Sequence, residues 1–480
     1  MLSCVYTDVQ PSRNQWRVRV YESRNALRMQ RARQLVGPLL VTLLILVFGV
    51  MVHAPFARAA SSCDYYASPS GTGTGLSPST PFKIKDFWSV AAPGKILCLL
   101  DGTYTGQGNQ IISPAKLSGT SGKPITVRAL NDGQVHIDAT GFHRAVDIQG
   151  NYFTLEGINA SHANNHVIVI RGNHNIVRRV VAWNAGMGGV DSQVFRIAGG
   201  FNLVEDAASF GRGRKHFDSA QGGNDNTFRR VFCRFEERVP NLVGPQTCMT
   251  LFYNHYRLTL ENAIFSRNDV NEKQVHQNEA LYSGDGGVTG GNTYYQADSR
   301  VLGSIGYVFG TDIYVGGGIF GLAHPDSFEV KHFVGYVEPG FHSSKRAFSL
   351  NNGSGPGPKN LRISHSVGIA PSPSMIGSVW TKTNVRLGTT LDNAIGKGNS
   401  IFQVVPGICK RYINGVLTDK ALWPWPMNQR IKEAMIQAGR APVDVTQTIE
   451  KIFGPIPSAC RTDIQDPGKP PAPHLRIGSR

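Results

Sequence analysis

The chain predicts an all-β fold, a parallel β-helix solenoid, and three observations carry that prediction. Between Arg144 and Ser266 one short phrase recurs five times: Gly-Asn-Tyr-Phe-Thr-Leu-Glu-Gly-Ile, Gly-Asn-His-Asn-Ile-Val-Arg-Arg-Val, Gly-Gly-Phe-Asn-Leu-Val-Glu-Asp-Ala, Gly-Asn-Asp-Asn-Thr-Phe-Arg-Arg-Val and Asn-His-Tyr-Arg-Leu-Thr-Leu-Glu-Asn. Its marker glycines, Gly150, Gly172, Gly199 and Gly223, stand 22, 27 and 24 residues apart. That period suits one coil of a β-helix and is too short for paired-helix repeats. Between the marks run short apolar strands such as Val167-Ile-Val-Ile-Arg-Gly, bounded by the Gly and Asn that sharp turns favour. A coil by itself would leave an apolar face in water, so successive coils stack to bury a continuous core.

Alternation along each strand points Ile168 and Ile170 inward, stacked over Phe195 and Ile197 of the next coil. The stretch before the repeats supplies an opening: a Gly/Ser/Thr/Pro-rich segment from Tyr65, a short capping helix over Phe82 to Ala92, and a first strand at Lys95-Ile-Leu-Cys-Leu-Leu. An uncovered first coil would present unpaired strand groups, which is why an end cap is expected. Further strands are predicted at Ile125 to Ala129 and Val135 to Ile137, and the period blurs between Ala280 and Ile369. Near the end, Met427, Ile431, Ala434, Met435 and Ala438 share one helical face, and Asp444 with Gln447 opens a second helix that stops at Gly454. The expected division is therefore an N-terminal segment over 1–59, a β-helix over 60–420, a helical C-terminal cap over 421–460, and a Pro-rich disordered tail over 461–480.

The N-terminal segment carries eight arginines against Asp8 and Glu22, so it holds +6 of the net +16. An apolar run from Leu35 to Val52 follows the arginines and precedes Ala57-Arg58-Ala59, the order of an export signal, with Met29 as the expected true start. The rival reading is an uncleaved membrane anchor. Either way the body lies outside the cytoplasm, and the six cysteines beyond residue 59 are expected to form disulfides. The pairing Cys63 with Cys98, Cys233 with Cys248 and Cys409 with Cys460 keeps each bridge within one segment, although six cysteines allow 15 pairings. No two cysteines have zinc-ligand spacing.

Without its first 59 residues the chain is at +10, a balance that favours polyanions. The densest charge is Phe210-Gly-Arg-Gly-Arg-Lys-His-Phe-Asp, expected at the turn between two coils. Arg212 and Arg214 suit bidentate binding of carboxylates, and Lys215 or His216 suits proton transfer. Lys273 and His276 are alternates, Arg196 and Arg238 further substrate-binding candidates, and Asp191, Asp218 and Asp269 candidate ligands for Ca²⁺. Such a groove suits β-elimination of a uronate polymer, in which a neutralised carboxylate acidifies the neighbouring C–H. Glycoside hydrolysis needs two facing carboxyl groups, for which Asp191 with Asp218 or Asp269 with Glu237 are the candidates. Binding without catalysis is the remaining class. The expected partner is an acidic polysaccharide rather than nucleic acid, with the membrane touched only through an uncleaved N-terminal segment and the protein a monomer.

Asp101-Gly-Thr-Tyr, Ser118-Gly-Thr-Ser-Gly-Lys-Pro-Ile-Thr-Val-Arg-Ala and Phe153-Thr-Leu-Glu-Gly-Ile resemble the right-handed parallel β-helix superfamily that includes pectate lyases. Within it they look like the start of the chondroitinase B and alginate lyase group, over roughly residues 63 to 235. The resemblance implies a right-handed coil and a Lys and Arg pair working beside Ca²⁺. The Arg-His-Gly phrase of that group does not occur in this chain, and Asn271-Glu-Lys273 is only an echo of its lysine motif.

Overall fold

The computed structural model describes residues 62–220, 222–237, 239–240, 247–251, 255–267, 281–284, 288–289, 292–293, 296–307, 314–316, 325–339, 347, 361–375 and 382–462. The expected signal or anchor, the residues beyond 462, and the candidates Arg238, Asp269, Lys273 and His276 lie outside them.

Strands stack in three rows, every pairing within them parallel. One coil contributes Phe153–Glu156, Ile158–Ser161 and Ile168–Ile170, and the next contributes Ile176–Arg178, Val181–Trp183 and Gln193–Ile197. In the following two coils the first two rows fuse into the long strands Leu203–Arg212 and Thr227–Glu237, which join a sheet of 22 strands. The third row is a separate sheet of eight strands. This is the expected parallel β-helix, and Ile168 and Ile170 stand in register with Phe195 and Ile197 as the alternation required.

Each position of the repeated phrase has a physical task. A β-carbon on Gly150, Gly172 or Gly199 would collide with the backbone carbonyl of Leu117, Gly150 or Gly172 respectively, so the coils approach there only through glycine. The first asparagine bridges coils: Asn151 Oδ1 accepts the Asn173 N–H at 2.7 Å and Asn173 Oδ1 that of Gly200 at 2.7 Å. The third residue turns the corner with positive φ, and the rings of Tyr152, His174 and Phe201 stack at 4.9 Å spacing. The fourth builds a buried ladder, in which Asn175, Asn202 and Asn226 accept the N–H groups of Phe153, Asn175 and Asn202 at 2.7, 2.8 and 2.9 Å. Leu155, Val177, Val204, Phe228 and Leu260 then enter the core.

The next position faces outward, and there the sign of charge alternates from coil to coil. Glu156, Arg178, Glu205, Arg229 and Glu261 are in register. Arg178 Nε donates to Glu205 at 2.9 Å, Arg229 Nη1 to Glu205 at 3.1 Å, and Arg229 Nε to Glu261 at 2.6 Å. Stacked like charges would repel at this spacing, whereas alternation turns the stack into an ion ladder.

The opening helix is a single turn, Ile84–Phe87, shorter than the expected Phe82 to Ala92. At the other end the helices Asn428–Gln437 and Val445–Phe453 form as the periodicity requires, the second capped by Asp444 on the Gln447 N–H at 2.9 Å. They lie along the flank of the solenoid, where Met427, Ile431, Met435, Ile449 and Phe453 share one apolar cluster with Val181, Trp183, Phe210, Phe232 and Ile264. Arg430 Nη2 donates to Asn159 Oδ1 at 3.0 Å and fixes their position. The three expected disulfides are present, with Cα–Cα distances of 5.7, 5.7 and 4.7 Å. Among the described residues no helix is long and apolar enough to cross a membrane.

Candidate active site

The eight-stranded sheet turns Val146, Ile148, Ile168, Ile170, Phe195, Ile197, Phe217 and Met249 into the core. The alternate positions, Asp147, Val169, Arg196 and Asp218, are therefore its outer face and stand in register across four coils. Arginines from the strand ends close over the buried carboxylate of Asp147, Arg144 at 3.1 Å and Arg171 as a two-pronged clamp at 2.9 and 3.3 Å.

His166 records how many cations meet on this face. Its Nδ1 accepts the Gln193 N–H at 3.1 Å. Burial, and then the repulsion of Arg196, Arg144, Arg171 and Lys215, push it down to about 3 from the usual 6.5, so it is a neutral acceptor. Against these cations stand Asp147, Asp191 and Asp218.

Phe210 to Asp218 is not the single exposed turn the sequence suggested. Leu203–Arg212 ends one strand, Gly213 and Arg214 make the corner, and Lys215–Ser219 is the next strand. The five candidate side chains in it consequently divide. Arg214 Nη1 meets Asp191 at 2.5 Å at the rim. Lys215 Nζ lies 3.7 Å from Asp218 Oδ1, and both residues are buried. Burial drives the Lys215 amine below its ordinary 10.5; Asp218 and Asp191 oppose that fall, while Arg214 and Arg196 add to it. Burial also raises the Asp218 carboxyl, against the pull of Lys215 and Arg196.

The other two leave the group. Arg212 donates its Nε to Glu237 at 2.8 Å, and Glu237 also takes Arg440, between the two C-terminal helices, at 3.3 Å. His216 is fully buried with Nδ1 at 2.6 Å from Ser209 Oγ and its ring against Phe235. Arg196 joins the face, its Nη1 3.3 Å from Gln193 Oε1. Asp191 and Asp218 each already face a cation, and among the described residues they belong to no group of three metal-ligating side chains; Asp269, the third expected Ca²⁺ ligand, lies outside those residues. Arg144, Asp147, His166 and Arg171 were not singled out from the sequence, although the alternation around Val146–Ile148 and Ile168–Ile170 assigns Asp147 to the outer face.

A second constellation, His136, Asp138 and His162, was also missed by sequence reasoning. It lies on the second row of the long sheet, and one donor atom from each residue falls within 4.8 Å of the others.

Fold and face together define a parallel β-helix protein with a cation-rich outer sheet. Its sequence is 30% identical to pectate lyase L of Dickeya chrysanthemi over 129 residues, 23% of this chain and 29% of that protein, so the match spans less than a third of the relative. Solved structures of similar fold include pectate lyase Pel9A, at 17% identity and a TM-score of 0.44 over 70% of this chain and 81% of that one. A rhamnogalacturonan lyase gives 15% identity and a TM-score of 0.48 over 67% and 87%. No family model matches the chain.

Proposed function

We propose that the protein is an exported polysaccharide lyase that cleaves a uronate-containing polymer on the outer face of the eight-stranded sheet. The observation that supports this most is a buried lysine with a depressed pKa, Lys215, flanked by Arg196 and Arg214 on a face that also carries Arg144 and Arg171. The local likeness to a pectate lyase supports the same class.

In this reading the guanidinium groups of Arg171, Arg196 and Arg214 receive the polymer's carboxylates and withdraw their charge, which acidifies the adjoining C5–H. Lys215, whose amine burial drives below its ordinary range, is the base that takes that proton on Nζ. The C5–H electron pair becomes the C4–C5 double bond, the C4–O bond breaks, and the departing oxygen takes a proton from water. Binding of the same polymer without cleavage is the second reading, favoured by the low exposure of the Lys215 side chain, 8%.

Pectate, alginate and glycosaminoglycans are the substrates to screen, each with and without added Ca²⁺. Growth of the ultraviolet absorbance of an unsaturated uronide is the expected result. Reducing ends without that absorbance would make the protein a hydrolase, and retention of polymer with neither signal would make it a binding protein.

A further inference from the structure

His136 and Asp138 lie on the strand Val135–Asp138, which pairs with Ile158–Ser161 so that Asp138 stands opposite Ser161. Ser161 Oγ is 2.7 Å from His136 Nε2 and 2.7 Å from His162 Nδ1, and His162 Nδ1 is 3.6 Å from Asp138 Oδ1. The three residues are the only such group of metal-ligating side chains among the described residues.

They are also held in place. The His136 ring lies against Trp183, centroids 4.9 Å apart, with Trp183 edge-on to His162 at 6.5 Å. Asp138 Oδ1 accepts from the Thr140 N–H and hydroxyl at 2.9 and 2.7 Å. His162 turns its corner with φ +57, where the next coils put Asn184 and then Gly211, so an imidazole stands in a place its neighbours give to an amide or to nothing. His136 is buried, whereas the side chains of Asp138 and His162 are 22% and 32% exposed, which leaves a wet side for exchangeable ligands.

We propose that His136, Asp138 and His162 bind one divalent transition-metal ion of the zinc, cobalt or nickel kind. Two imidazoles and a carboxylate are the donors such ions prefer, while Ca²⁺ takes six to eight oxygens and has too few here. Without metal, the same atoms are tied by hydrogen bonds whose direction can be followed. Asn184 Oδ1 accepts the Arg212 N–H at 3.1 Å, so its amide nitrogen faces His162 Nε2 at 3.2 Å. Nε2 is then the acceptor, Nδ1 carries the proton towards Ser161, and the Ser161 hydroxyl donates to His136 Nε2. Metal binding removes the Nδ1 proton, protonates Nε2 and obliges Asn184 to turn. A carboxylate at 184 would accept from both Arg212 N–H and His162 Nε2–H, the arrangement that supports a metal-bound imidazole.

The test is titration of the chelator-stripped full-length protein with Co²⁺, followed by visible absorption and calorimetry. Saturable binding of one equivalent, displaced by Zn²⁺ and indifferent to Ca²⁺, is expected. Asp138→Asn and His162→Gln should each weaken binding by about tenfold or more, and Asn184→Asp should tighten it by about tenfold. Circular dichroism and thermal melting of the metal-free variants show whether any loss comes from unfolding. Lys215→Ala should leave Co²⁺ binding as it is, so failure of the lyase reading and failure of this one are separable. Absence of saturable binding, or binding that survives both Asp138→Asn and His162→Gln in folded protein, would overturn the site. Unchanged affinity in Asn184→Asp would overturn the tautomer exchange.

Discussion

Arg229 donates from Nε to the fully buried carboxylate of Glu261, one coil further on, at 2.6 Å, and from Nη1 to Glu205, one coil back, at 3.1 Å. One guanidinium thereby neutralises two carboxylates in the middle of the ion ladder. Replacing Arg229 by Met strands the Glu261 charge in the interior, and should cost about 3–5 kcal/mol of unfolding free energy, read as a lower urea midpoint. Replacing Glu261 by Leu in the same protein removes the stranded charge and should recover a large part of that loss. Equal loss in the single and double variants would mean that packing, and not charge, matters there.

The buried asparagine ladder gives a second test. Asn202 Oδ1 takes the Asn175 N–H, so Asn202→Ala leaves a buried donor unpaired and should cost about 1–3 kcal/mol by urea unfolding. Asn151→Ala, at the outer ladder where Asn151 is half-buried and water can substitute, should cost less.

Acid should destabilise the fold through its buried histidines. Burial holds His136 down to about 4, His332 to about 4 and His166 to about 3, against an ordinary 6.5. Since the unfolded chain binds these protons more tightly, stability is complete above pH 6.5 and falls as pH drops towards 4. His136 alone accounts for roughly 3 kcal/mol across that window. Thermal melting between pH 7 and 4 should show the decline, and His332→Asn, which removes one contributor, should flatten it.

For turnover, the Lys215 reading fixes a direction. Elimination should rise with pH along a limb whose inflection lies below the usual lysine range, because the folded protein disfavours the ammonium. Arg196→Gln removes a repelling cation and should move that inflection to higher pH, besides weakening substrate binding. A limb unaffected by Arg196→Gln and Arg214→Gln together would remove Lys215 from the role.

Much of this was legible in the chain. The spacing of Gly150, Gly172 and Gly199 set the coil, and alternation set the inward residues, because a two-residue strand period leaves no choice once one face is apolar. Even the three disulfides follow from segment proximity. The candidate site was read less well. Charged residues next to one another between Arg212 and Asp218 looked like one exposed cluster, yet a strand that starts at Lys215 buries Lys215, His216 and Asp218 and leaves Arg214 at the rim. Arg144 and Arg171 join them through coil stacking, over separations that no local pattern in the chain reveals.

The sequence alone determined the solenoid, its period, its glycine and asparagine corners and the C-terminal helices, since each depends on residues close in the chain or on a fixed repeat. Only the tertiary structure decided which charges share a face and which are buried, that Arg212 serves Glu237 while Lys215 serves Asp218, and that His136 and His162 meet across a coil. Coil lengths of 22, 27 and 24 residues shift each loop differently before stacking brings it beside its neighbours, and that offset is a property of the folded chain.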